Sequence, residues 1–64
     1  MELKDIKVGM TVVEAIADET VTVKQIKPEG TKHYGPNRTV QVRFPDKSTA
    51  WYAPEDLSKE STNA

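Results

Sequence analysis

Sixty-four residues with a net charge of -1 and no cysteine make at most one domain, and a chain this short buries only about 60% of the surface its unfolded form exposes. The missing thiols exclude disulfides, thiol nucleophiles and thiolate metal sites, and fit a reducing compartment. No apolar stretch approaches the roughly 18 residues of a membrane span, and no basic segment leads into an apolar run at the amino terminus, so a cytoplasmic protein that does not enter a membrane is expected.

In chain order, Leu3-Lys4-Asp5-Ile6-Lys7-Val8-Gly9-Met10 reads as a lead-in in which Leu3 and Ile6 turn to one side and cap the end of a small core. The apolar residues of positions 8 to 44 then follow a period of two, which predicts strands and leaves little room for helix. A first strand is predicted from Met10 to Ile16, with its inward face left open by the pair Val12-Val13. Ala17-Asp18-Glu19-Thr20 reads as a turn. Val21 and Val23 alternate with Thr22 and Lys24 until Ile26 breaks the pattern, through either a bulge near Gln25 or a bend. Lys27 to Asn37, with two prolines and two glycines, is a loop.

The clearest strand is Thr39 to Phe44, in which Val40, Val42 and Phe44 share one face. Pro45-Asp46-Lys47-Ser48 has turn chemistry, and Thr49 to Ala53 returns antiparallel. Pro54 has no amide hydrogen to give a ladder. Glu55 and Asp56 open a single tight turn that brings Leu57 back to the core, with a last strand through Lys59. Ser61 to Ala64 has nothing to bury and is expected to be a disordered tail behind a single domain over residues 1–60.

Five short strands, a long middle loop and a proline-broken turn followed by leucine resemble the SH3-like barrel. V-x-V-x-F-x-D at 40 to 46 and W-Y-x-P-E-D-L at 51 to 57 are similar to the strand, turn, strand and closing 3₁₀ turn of Tudor-like and KOW-like bacterial domains. The segment from Ile26 to Phe44 also resembles the SH3-like subunit family on the stromal side of photosystem I. The fold implied is an all-β, five-stranded SH3-like barrel with a 3₁₀ turn before the last strand. Ser48 to Ala53 resembles the pore strand of the plasmid-encoded, trimethoprim-resistant dihydrofolate reductases. Ala50 stands where that family has its catalytic glutamine and Trp51 where it has isoleucine, while Tyr52 matches its tyrosine. Alanine offers no side-chain amide, so the activity does not carry over.

The charge is graded along the chain. Residues 1–23 carry five acids against Lys4 and Lys7, residues 24–47 six cations against Glu29 and Asp46, and residues 48–64 three acids against Lys59. Lys24, Lys27, Lys32, Arg38, Arg43 and Lys47 are therefore candidates for nucleic-acid phosphates, with Tyr34 or Trp51 stacking on bases and His33 nearby; the alternative is that these cations are the solvated sides of half-buried strands. Adjacent Trp51 and Tyr52 face opposite ways in a strand. With Tyr52 inward, Trp51 lies outside beside Arg43 or Gln41, an anchor for a protein partner together with Tyr34.

An aromatic cage would need Tyr34 folded over Trp51. His33 lies in a polar loop without metal-ligand spacing. The pairs Asp18-Glu19 and Glu55-Asp56 suit turns, and no phosphate-binding glycine motif is present. No cofactor is expected. An active site would require an oligomer that builds one on its symmetry axis. The leading expectation is a non-catalytic module that docks a protein partner or a copy of itself through the 27–37 loop and the surface of Tyr34, Arg43 and Trp51. The alternative is a nucleic-acid-binding barrel using the basic 24–47 segment.

Overall fold

The computed structural model describes residues 1–59. The expected tail and the last residue of the expected domain lie outside the described residues. The strands are β1 (Thr11–Glu14), β2 (Glu19–Ile26), β3 (Val40–Arg43), β4 (Thr49–Tyr52) and β5 (Leu57–Lys59), with 3₁₀ turns at Leu3–Asp5 and Pro54–Asp56. All pairings are antiparallel, and the order across the sheet is β4-β3-β2-β1-β5.

Alternation sorts the side chains as the sequence pattern requires. Val12, Val21, Val23, Val40, Val42 and Leu57 are buried on one face, with Ile6 from the lead-in completing the cluster. Met1, Leu3, Met10, Ile26, Phe44 and Tyr52 pack around it, half-buried. The Val12-Val13 ambiguity resolves with Val12 inward, which also turns Glu14 inward. Lys24 is the extra residue of a bulge, because Val23 faces Val42 while Gln25 already faces Gln41. The bulge restores Ile26 to the inner face opposite Val40.

The expected SH3-like barrel is not formed. A barrel requires its two outermost strands to pair, and among the described residues no ladder joins β4 to β5. β5 already engages the outward groups of its first residue elsewhere. The Ala15 amide donates to Asp56 O at 3.0 Å, so the alternation of antiparallel bonds points the backbone groups of Leu57 away from β1. Both are occupied: the Leu57 amide donates to Pro54 O, and Leu57 O accepts from the amino nitrogen of Met1 at 3.0 Å. The protein is an open five-stranded antiparallel sheet.

Two turns place the functional surface. The β3–β4 hairpin closes through Lys47 N–H to Phe44 O (2.9 Å) and Phe44 N–H to Ser48 O (2.8 Å), with Lys47 at φ 76°. That is a type I turn followed by a left-handed bulge residue. Between β2 and β3, Gly30 N–H bonds Lys27 O and Thr31 exchanges both backbone bonds with Gly35. Gly30 has φ 80°, and a Cβ there would lie 2.4 Å from Pro36 Cα. Only glycine lets the two halves of this loop touch.

Candidate functional site

Lys32, His33 and Tyr34 form the tip of the small hairpin closed by Thr31 and Gly35. The Tyr34 amide donates to Thr31 Oγ1 at 2.9 Å, which fixes the tip. Tyr34 is 59% exposed. The His33 ring meets it edge-on at 5.5 Å between centroids.

Trp51 pairs with Gln41 across the β3–β4 ladder and is half-buried on the outer face. Tyr52 turns inward, its ring 6.4 Å from Phe44. Burial pushes the Tyr52 phenol above its ordinary value of 10.0, and the Glu14 carboxylate adds to the rise.

An open groove of about 600 Å³ is lined by every residue of Thr49–Tyr52, by Arg38 and Gln41, and by His33 and Tyr34. Consecutive strand residues point to opposite faces. A groove that touches all four therefore passes along the strand's unpaired edge. The ladder gives the same edge its chemistry. Because the Phe44 amide donates to Ser48 O, alternation directs Ala50 and Tyr52 to β3 and leaves the N–H and C=O of Thr49 and Trp51 pointing outward.

A second groove of about 490 Å³ shares Trp51, His33 and Tyr34 and adds Lys27, Glu29 and Lys32. Tyr34 and Trp51 are thus brought together, walling two adjoining concavities. Arg43 is not part of either. It pairs with Thr49 and Thr22 and lines a separate concavity with Phe44, Pro45 and Lys47.

The six candidate cations are divided. Lys27 and Lys32 stand by the second groove, Arg43 and Lys47 by the third, and Lys24 on the β2 bulge. Arg38 is 3.5 Å from Asp56, both partly exposed. The sequence leaves Trp51 beside Arg43 or Gln41, and the register decides for Gln41; it gives no sign that Arg38 walls the groove. Arg38 sits two residues before β3, where the period-two pattern has already ended.

Glu14 is 1% exposed and was not singled out either. Its Oε1 accepts from the Ile16 amide and its Oε2 from the Ala17 amide at 2.9 Å, so it closes the β1–β2 turn. At the other turn, the Ser48 hydroxyl (2.6 Å) and amide (3.0 Å) donate to Asp46 Oδ1 and hold that carboxyl below its ordinary range. Among the described residues, no cluster of three or more His, Asp or Glu side chains is arranged to hold a metal, and no helix is long and apolar enough to cross a membrane.

No family model, curated protein or solved structure matches the chain. With the sheet open and no relative found, the resemblances to Tudor-like and KOW-like domains, to the photosystem I subunit family and to the trimethoprim-resistant reductases do not hold.

Proposed function

We propose that this chain is a small interaction module that docks a protein partner through Tyr34, Trp51 and the groove they share, in the cytoplasm. One observation carries the reading: two aromatic side chains from separate elements, a loop tip and an edge strand, converge on one groove beside an arginine. Half-buried tryptophan and exposed tyrosine supply large contact area at low entropic cost, as interface anchors do. Arg43, in its own concavity, lies outside this footprint.

The test is a three-way comparison of captured partners. A partner held by the wild-type protein is lost with Trp51→Ala and with Tyr34→Ala, while Arg43→Ala keeps it and all three variants retain the wild-type amide spectrum. A partner held equally by the folded Trp51→Ala protein removes the reading.

A second reading rests on a different observation. By register, the outer-face strand positions include Thr20, Thr22, Gln41, Arg43, Thr49 and Trp51 and contain no carboxylate, since Glu14 and Glu19 face each other on the inner side. A single strand of nucleic acid laid over that face would stack on Trp51 and place phosphate at Arg43. Its signature is binding that weakens steeply with salt and is lost with Arg43→Glu.

A further inference from the structure

We infer that the partner segment is an acidic, extended peptide that adds to the sheet as a sixth strand on the free edge of β4. This rests on the docking function proposed above and names the occupant of that groove.

Three observations support strand addition. The outward N–H and C=O of Thr49 and Trp51 lie two residues apart, the spacing at which an extended chain presents its own donors and acceptors. The groove follows this edge over the whole of β4. Within the edge strand itself, Thr49-Ala50-Trp51-Tyr52 has no charge, no proline and no bulge. Free edges are normally blunted by such features, and an edge without them is a template for pairing.

Charge selects among occupants. Arg38 and His33 line the groove, and among the described residues no carboxylate does; the adjoining groove sets Lys27 and Lys32 against a single acid, Glu29. An acidic side chain on the incoming strand meets Arg38, which its 3.5 Å pairing with Asp56 leaves partly exposed. A second copy would bring its own β4 to this edge, Thr49-Ala50-Trp51-Tyr52, which has no acid to meet Arg38. A separate acidic partner supplies one.

The experiment begins with selection from a random library of displayed peptides of about ten residues against the wild-type protein. The selected sequence is then made synthetically, once with ordinary amides and once N-methylated at alternate residues. The expected consensus carries Asp or Glu among β-branched residues and no proline. Binding slows amide exchange at Thr49 and Trp51 by about tenfold or more, Arg38→Glu weakens affinity about tenfold, and N-methylation abolishes binding in the frame that meets the edge. Thr49→Pro retains the fold, because its amide points away from β3, and loses the peptide.

Peptides that require Trp51 yet leave exchange at Thr49 and Trp51 unchanged overturn strand addition while the docking function stands. Peptides that protect those amides with no acidic preference and no response to Arg38→Glu overturn the acidic class. Protection that rises with protein concentration and without peptide assigns the edge to a second copy. No peptide dependent on Trp51 removes both the inference and the docking function, and salt-sensitive binding of an oligouridylate in their place points to nucleic acid.

Discussion

The two outer strands of the sheet, β4 and β5, end it in opposite ways. At β5 the outward amide and carbonyl of Leu57 are occupied by Pro54 and Met1, its side chain is 1% exposed, and Lys59 leaves a charge on the strand. At β4 the outward groups of Thr49 and Trp51 have no backbone partner among the described residues, and Ala50, Trp51 and Tyr52 are each only half-buried. One edge is engaged by the chain itself, at Leu57. The other carries the aromatic anchor, a groove and the nearest loop. A small sheet that blocks one edge with its own backbone avoids pairing there, and concentrates any partner at the edge it leaves open.

The largest expected effect breaks the closed edge. Leu57→Ala removes a fully buried side chain and costs about 2 to 5 kcal/mol, enough to unfold so small a domain. Trp51→Ala on the open edge costs under about 2 kcal/mol, because the indole is only half-buried. Urea denaturation of the two variants measures the contrast. If they lose equal stability, β4 is as much a part of the core as β5 and the distinction between the edges fails.

Glu14 sits opposite Leu57 and supports the same end of the sheet. Glu14→Ala takes the acceptors from the Ile16 and Ala17 amides and costs about 1 to 3 kcal/mol, with Glu14→Gln recovering part through its remaining carbonyl. Exchange accelerates at both amides in Glu14→Ala and at one of them in Glu14→Gln. Unchanged exchange would show that the carboxylate does not hold the turn.

Much of the sheet was legible in the sequence because burial on one face imposes a period of two. Val40 and Val42 predicted β3, Ile26 marked a bulge or a bend by breaking step, and Pro54 marked the 3₁₀ turn. What decides closure is not in that pattern. Alternation is the same in an open sheet and a barrel, and the outcome depends on which backbone groups of Leu57 are already engaged. Glu14 was illegible for a related reason: a glutamate after two valines reads as solvated, and only the turn geometry, with Asp18 at φ 56°, brings the Ile16 and Ala17 amides onto it. Of the site, adjacency alone showed that Trp51 and Tyr52 must part. The separation of Arg43 from Trp51 needed the register, which sets Gln41 opposite the indole.

The hairpin that delivers β4 is itself strained, which offers a way to sharpen the open edge without touching it. Lys47 adopts the left-handed conformation that a type I turn with a bulge ordinarily gives to glycine. Lys47→Gly relieves that strain and raises stability by up to about 1 kcal/mol, the gain being offset in part by the freer unfolded chain. Thermal denaturation reads it, and the amide shifts of Thr49 and Trp51 stay in place. A loss of stability would mean that the lysine side chain contributes more than its backbone costs.

The smallest effect is alkaline. The Tyr52 phenol is raised above 10.0 in the folded chain, by burial first and by the Glu14 charge second. A raised folded value means that the folded state keeps the proton while the unfolded state releases it. This contribution is therefore intact below the unfolded value and is lost as the pH climbs through 10 toward the folded value. Lysines lose their charge in the same window, so the difference between wild type and Tyr52→Phe isolates the tyrosine. The two proteins diverge above pH 10, with Tyr52→Phe falling less steeply, and Trp51→Ala follows the wild-type slope because its ring faces the other side of β4. Equal slopes for wild type and Tyr52→Phe would place the phenol in water and move Tyr52 from the inner face to the open edge.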